Sequence, residues 1–393
     1  MSASRIVTSQ LRLSTRAGDL LQSEIRNMSI ECERIGGINL SQGVCDTPVP
    51  IEVQQGAFDG ITEGFNTYTR YDGLDELRQA IAAKLRQYNG LEVDPSSEIV
   101  VSAGATGAFY CTCLALLDPG DEVILFEPYY GYHVSTLLAS GAVPRYVPMQ
   151  PPDWTFSVDE LERAVTLRTR AILVNTPGNP SGKVFTSGEL QQIADFAMRH
   201  DLFVFTDEIY EYFLYDGHEH VTPAAIPGLA ERTVSISGFS KTFSITGWRI
   251  GYAVAPARWA ETIGYYNDLV YVCAPAPLQI GVARGLVRLG PRYYESLQAD
   301  YTAKRDQFCS ALRAAGLTPF VPQGAYYVLA DASVLPGRSS KERAMYLLNK
   351  ANVAAVPGEA FFNDHRGDCL LRFCYAKSSA DLDEACHRLE DLR

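Results

Sequence analysis

Long apolar runs are missing from this 393-residue chain. No stretch reaches about 18 uninterrupted apolar residues, so no membrane-spanning helix is expected. Met1 to Thr15 has basic residues but no apolar core segment, so no secretory signal is visible and no membrane partner is expected. Basic residues are also scarce. Thirty-four of them against 46 acidic ones leave a net charge of −12, which argues against a nucleic-acid partner. Metal-ligand spacings are lacking. The six histidines form no H-E-x-x-H pair, and the nine cysteines, an odd number, show no C-x-x-C. Cys111 and Cys113, with one residue between them, are too close for an ordinary bridge or a zinc pair. These absences predict free thiols in a reducing cytoplasm and no metal. A G-x-G-x-x-G turn is missing as well: Ser102 to Ala108 does not match it, which speaks against a dinucleotide-binding dehydrogenase.

What is present describes an ordinary globular protein, 47% apolar and 20% charged, long enough for two domains. Ile38 to Gly43 reads as a short strand ending in a turn, Val53 to Ile61 and Asp75 to Tyr88 as helices, and Phe65 to Gly73 as a polar-aromatic loop. From Glu98 onward strands and helices alternate. The strands are Ile99–Val101, Val123–Phe126, Ala142–Val147, Ala171–Asn175, Leu202–Thr206 and Thr233–Ser237, with Ile250–Ala255 after an irregular loop. Ser102 to Ala108 reads as a small-residue turn leading into a helix from Phe109 to Leu117, and Glu189 to His200 as an amphipathic helix. Near-continuous apolar strands between helices imply a parallel sheet covered on both faces, with ligands at the carboxyl ends of its strands. Gly290-Pro291 marks a boundary. Beyond it a long helix (Tyr293 to Ala315), strands at Gly324–Leu329, Val353–Gly358 and Leu370–Tyr375, and a final helix from Ala380 to Leu392 suggest a smaller α+β domain.

The polar residues gather at those strand ends. Gly104, Ala105 and Thr106 enter a helix, whose free N–H groups favour an anion. Tyr129, Tyr130 and Tyr132 follow one strand, Asn179 another, Asp207 and Tyr210 a third, and Lys241 a fourth. A lysine there is expensive to bury unless neutralised, and a neutral amine condenses with an aldehyde. Arg249 offers a planar cation suited to a phosphate, and Arg372, inside an apolar strand, needs a fixed anion: a substrate carboxylate or a structural one. An acid at Asp207 held against a ring nitrogen would keep it protonated and make the ring an electron sink. Tyr210 and Asn179 would reach a ring hydroxyl, and Tyr130 would cover the ring. These parts answer the separate needs of one cofactor, pyridoxal phosphate.

The motifs Asn175-Thr-Pro-Gly-Asn-Pro-Ser-Gly182, Asp207-Glu-Ile-Tyr210, and Ser240-Lys241 with Gly247-Trp-Arg-Ile-Gly251 resemble those of fold-type I pyridoxal-phosphate aminotransferases of class I/II, the aspartate/kynurenine aminotransferase superfamily. The resemblance runs from about Ile38 to the C-terminus. It implies an α/β fold: a large domain with a mostly parallel seven-stranded sheet covered by helices, plus a smaller α+β domain from both termini. The corresponding division is 1–48 for the N-terminal segment of the small domain, 49–290 for the large domain and 291–393 for the rest of the small one. It implies Lys241 as the Schiff-base lysine and proton shuttle, Asp207 at the pyridine nitrogen, Asn179 and Tyr210 at the ring hydroxyl, Arg249 at the phosphate, and Arg372 at the substrate carboxylate. Gly43 matches the substrate-loop glycine, and Tyr68 the tyrosine that reaches the phosphate of the neighbouring subunit in a homodimer with shared active sites. Gly238 replaces a serine frequent in the family, leaving Ser237 or Ser240 to meet the phosphate. Thr106 stands where aspartate-preferring bacterial relatives often carry lysine, which turns the reading away from dicarboxylates. An aromatic-lined pocket is drawn from Tyr129, Tyr326 and a loop Tyr265 to Tyr271, with interface packing as the other use of those tyrosines. The implied reaction is ping-pong transfer of an amino group between a neutral or aromatic L-amino acid and a 2-oxo acid through a Lys241 aldimine. β-Elimination, cyclisation or oxidation on the same cofactor, and more distantly a non-enzymatic ligand sensor, are the alternatives.

Overall fold

The computed structural model describes Ser14, residues 23–390 and Leu392. Apart from Ser14, the expectations for residues 1–22 lie outside the described residues.

Seven strands form the main sheet, in the spatial order Ile99–Ala103, Ile250–Val254, Thr233–Gly238, Phe203–Asp207, Thr169–Asn175, Glu122–Glu127 and Val143–Pro148. All neighbours are parallel except Ile250–Val254, which runs antiparallel to both of its partners. The alternation of side chains along the strands explains the two covered faces. Ile124, Phe126, Ile172, Val174 and Val204 pack on one side with Leu190, Ile193 and Ala197 of the helix Ser187–Arg199. Val123, Leu125, Leu173, Phe205, Val234 and Ile236 pack on the other with Ala108 and Phe109 of the helix Gly104–Leu116. A second sheet of four antiparallel strands joins Val356–Pro357, Leu370–Cys374, Tyr327–Asp331 and Thr318–Phe320. The strand Ile38–Asn39 pairs in parallel with Val353–Ala354, tying the early chain to its late part.

Several boundaries differ from expectation, each for a local reason. The helix expected from Phe109 begins at Gly104, so the small-residue stretch is its first turn rather than a loop before it. The helix expected from Glu189 begins at Ser187, because Thr186 and Glu189 form a reciprocal capping box. Asp75–Lys84 is followed by a five-residue π-turn, Leu85–Asn89. Gly238 closes its strand instead of breaking it, and pairs with Gly251. Tyr265 to Tyr271 is no loop but the end of the helix Ala257–Tyr271. The strand expected from Gly324 starts at Tyr327, and Val353 to Gly358 divides into two short strands.

Candidate active site

A cavity of about 530 Å³ opens at the carboxyl ends of the central strands, between them and the four-stranded sheet. Gly43, Ala105, Thr106, Tyr130, Asn179, Asp207, Tyr210, Ser240, Lys241, Arg249 and Arg372 all line it. Gly104 sits just behind, its φ of 75° in the left-handed region, with the Arg249 guanidinium where a Cβ would stand. Tyr68 is 82% exposed and lies outside the cavity. A separate hollow of about 590 Å³, beside Tyr88, Tyr212 and Tyr294, contains none of these residues.

Lys241 follows the strand Thr233–Gly238 and reaches across the cavity, where its Nζ donates to the Gly43 carbonyl at 2.9 Å. That nitrogen also lies 5.9 Å from the centre of the Tyr326 ring. Burial pushes the ammonium below the ordinary lysine range, and the Arg249 charge acts in the same direction. A Cβ on Gly43 would collide with the Tyr327 hydroxyl, so glycine lets this carbonyl approach the lysine.

Asp207 ends its strand opposite Asn175. His133 Nε2 is 2.9 Å from its Oδ2, and the Ile209 N–H approaches Oδ1 at 3.3 Å. Tyr210 is buried, with its hydroxyl 3.0 Å from that of Tyr327. Burial, then the neighbouring phenols of Tyr327 and Tyr130, raise its pKa far above the usual value, so it remains a hydrogen-bond donor.

Arg372 is 1% exposed. It donates to Asn179 Oδ1 at 3.0 Å and to the Ser41 carbonyl, and its guanidinium lies over the Tyr327 ring. Its Nε has no partner, and among the described residues no carboxylate forms an ion pair with it. A buried guanidinium held only by neutral oxygens is a site for an outside anion. Arg249 is exposed rather than buried, but it too bonds only to neutral oxygens among the described residues, the Thr246 and Ala103 carbonyls, from a backbone at φ 58°. It stands against the first turn of Gly104–Leu116, where free N–H groups and the helix dipole add to its charge. Of the two serines flanking Gly238, Ser240 faces the cavity, while Ser237 turns away to the Glu208 carbonyl and the Glu211 carboxylate.

The expected aromatic pocket is only partly present. Tyr265 is exposed, Tyr271 packs against Cys111, and Tyr129 packs on Tyr146. The rings that line the cavity are Phe109, Tyr130, Tyr132, Tyr210 and Tyr327. His133 and Tyr327 are the partners that sequence reasoning missed. His133 lies three residues after Tyr130 on a helix beginning at Gly131, a spacing that puts both on one face.

Two anion sites, a desolvated lysine and a carboxylate in one cavity fit a phosphorylated aldehyde with a basic ring nitrogen. Residues 35–389 match the family described as aminotransferase class I and II. The chain is 37% identical over 376 residues to a probable N-succinyldiaminopimelate aminotransferase of Mycobacterium tuberculosis, covering 93% of this chain and 94% of that one. It is 34% identical over 385 residues to aromatic-amino-acid aminotransferase 2 of Thermococcus litoralis, covering 97% and 98%. The solved N-succinyldiaminopimelate aminotransferase of Mycobacterium tuberculosis superimposes with a TM-score of 0.94 at 36% identity, covering 97% of this chain and 100% of that one.

Proposed function

Because this chain belongs to the class I and II aminotransferases, enzymes that use pyridoxal 5′-phosphate, we propose that its strand-end cavity transfers an amino group from a neutral or aromatic L-amino acid to a 2-oxo acid. The observation that carries the site assignment is Arg372, a buried cation supplied with no protein anion among the described residues.

When bound, the cofactor supplies an aldehyde that exchanges amines and a protonated ring that withdraws electrons from the substrate's Cα. Lys241 is the residue that would hold its aldehyde carbon. Gly104, Ala105, Thr106, Ser240 and Arg249 would hold the phosphate, and Asp207 the proton of the ring nitrogen. Tyr210 and Asn179 would donate to the ring hydroxyl oxygen, and Tyr130 would cover the ring. The lowered pKa of Lys241 favours the neutral amine, which is the form able to take a proton from the substrate's Cα. Arg372 and Asn179 would fix the α-carboxylate, and Gly43, whose carbonyl already accepts from Lys241, would close the substrate side.

The reading includes a homodimer and the division of the chain at residues 48 and 290. Exposed apolar side chains support the dimer: Phe58, Tyr68, Tyr265 and Leu269 all stand in solvent, and Tyr71 packs on Tyr265. Exposed apolar surface of this kind is a usual mark of an interface. Tyr68 would then reach the phosphate in the neighbouring subunit. Nine free thiols accord with placement in the cytoplasm.

Lys241→Ala tests the assignment. The variant is expected to lose the visible absorbance of the holoenzyme and to stall turnover; full transamination by it would overturn the role. Omitting the oxo acid separates transamination from elimination, cyclisation or oxidation, because only transamination needs the acceptor to continue.

A further inference from the structure

Behind the turn that carries Tyr210 lies an ion pair that the reaction described above does not use. Lys84 and Glu211 are both buried, and Lys84 Nζ is 2.5 Å from Glu211 Oε2. Neither residue lines the strand-end cavity. Glu211 directly follows Tyr210, the residue assigned to the ring hydroxyl, while Lys84 ends the helix Asp75–Lys84. A buried pair is a weak source of stability, because desolvation offsets most of its attraction and apolar side chains of similar volume often do as well.

The contacts around the pair are positional. Every polar atom of Glu211 is engaged. Its N–H donates to the Glu208 carbonyl at 3.1 Å, and its own carbonyl accepts from the Tyr88 hydroxyl at 2.7 Å. Its Oε1 accepts from Ser237 at 3.2 Å, and its Oε2 from Lys84 and from Asn89 Nδ2 at 3.0 Å. Ser237 stands four residues before Lys241 on the strand Thr233–Gly238, opposite Tyr252, whose hydroxyl is 3.3 Å from Lys84 Nζ. The pair thus joins the Tyr210 turn to the strand that leads to Lys241. The π-turn Leu85–Asn89 accounts for the reach of the helix end. In a continued α-helix residues 84 and 89 would point about 140° apart. An i→i+5 turn brings them to one side, where Lys84 Nζ donates to Asn89 Oδ1 at 2.8 Å and both meet the same carboxylate oxygen. Tyr210 has one side-chain hydrogen bond among the described residues, to the Tyr327 hydroxyl. Its place opposite Lys241 is therefore set largely by its backbone, and that backbone is held at Glu211.

We propose that Lys84 and Glu211 are positioning residues for Tyr210: the buried pair, presented by the π-turn, keeps the Tyr210 hydroxyl in register with Lys241 and so sets the hydrogen bond that Tyr210 gives to the ring oxygen of the cofactor. The proposal rests on the aminotransferase reading of the cavity. It also explains why Ser237 turns away from the phosphate side: its hydroxyl serves Glu211.

The test compares the wild-type holoenzyme with Lys84→Met/Glu211→Leu, with Tyr210→Phe, and with all three substitutions together. A single replacement would leave one buried charge without its partner, so the pair is replaced as a unit by apolar side chains, and folding is checked by urea unfolding. Tyr88→Phe, which removes only the hydroxyl on the Glu211 carbonyl, loosens the same turn without touching a charge and decides the matter if the double variant does not fold. In the double variant kcat/KM is expected to fall about tenfold, a coupling usual within one hydrogen-bonded network, with a smaller fall in Tyr88→Phe. The pH midpoint of the visible spectrum should move in both in the direction that Tyr210→Phe moves it. In the Tyr210→Phe background neither the rate nor the midpoint should change further. In the cofactor-free protein, amide exchange over residues 208–213 should quicken in both variants. A rate and midpoint unchanged in the folded variants, or an undiminished effect in the Tyr210→Phe background, overturns the positioning role. A Tyr210→Phe variant with an unmoved midpoint, or a wild type without transamination, overturns the reading of the cavity instead.

Discussion

Replacing Arg372 by alanine removes the only contact proposed for the substrate's α-carboxylate that carries a full charge. The guanidinium is 1% exposed, already oriented by Asn179 and the Ser41 carbonyl, and stacked with its central carbon 4.4 Å from the centre of the Tyr327 ring. A carboxylate arriving there meets a cation whose reorientation has already been prevented. Removing one partner of a buried, hydrogen-bonded charge pair costs about 2–5 kcal/mol. At about 1.4 kcal/mol per decade this is a loss of roughly 30-fold to a few thousandfold in kcat/KM, and the burial argues for the upper half of that range. The simple loss is ambiguous, because the truncation also leaves Asn179 and Ser41 without their donor. A cycle removes that ambiguity. L-Phenylalanine and phenethylamine, which differ in the α-carboxylate, are compared on wild type and Arg372→Ala by the rate of the first half-reaction. The wild type is expected to prefer the amino acid strongly, and the preference should collapse in the variant by the same 2–5 kcal/mol or so. If the variant loses rate equally on both amines, the guanidinium is a structural strut and the carboxylate is held elsewhere.

Other perturbations follow from the same geometry. His133→Phe keeps an aromatic ring beside Phe109 and Tyr130 but loses the 2.9 Å contact with Asp207. A hydrogen bond to a charged group is worth about 1.5–3 kcal/mol, so kcat/KM should fall roughly ten- to a hundredfold. The pH midpoint of the holoenzyme's visible spectrum should move with it; an unmoved midpoint would assign His133 to packing alone. His220 Nε2 lies 2.8 Å from Glu208 Oε2, in a buried pair directly after Asp207. Burial alone would raise the Glu208 carboxyl, but the hydrogen bond and charge of His220, with Thr206 and Thr222, bring it below the usual range. A depressed carboxylate pKa adds stability above its unfolded value of about 4.3, and that stability disappears as pH falls through the folded value. His220→Ala should therefore cost about 1.5–3 kcal/mol at neutral pH and less in acid, read by urea unfolding; a loss independent of pH would refute the coupling. Leu269→Glu places a charge in the exposed apolar patch and is expected to yield monomers with weakened cofactor retention in analytical ultracentrifugation, whereas an intact dimer would locate the interface elsewhere.

The strand-end residues were legible in the sequence because each is announced by local chemistry. A run of apolar residues ends in Asp207 or is followed by Lys241, and near-continuous apolar strands between helices leave little choice about the sheet. The strand Ile250–Val254 was legible but its antiparallel direction was not, since buried strands look alike in either direction. His133 and Tyr327 were missed because their roles arise from packing between elements distant in sequence. The helix Glu24–Ile35 is absent from the expectations although Met28 and Cys32, four residues apart, mark its buried face.

The clamp formed by Arg372, Asn179 and Ser41 also bears on how the protein comes into being. Arg372 and Ser41 are 331 residues apart in sequence, and Arg372 and Asn179 are 193 apart. Contacts that close such long loops form late, since their entropy cost precedes any reward. A chain emerging from the ribosome as far as Lys241 has the lysine but not the burial or the Arg249 charge that lower its pKa, and nothing fixes a substrate carboxylate opposite it. Burial of the amine and assembly of the vise that selects what reacts with it therefore come together, completed when the last strand returns to the start of the chain.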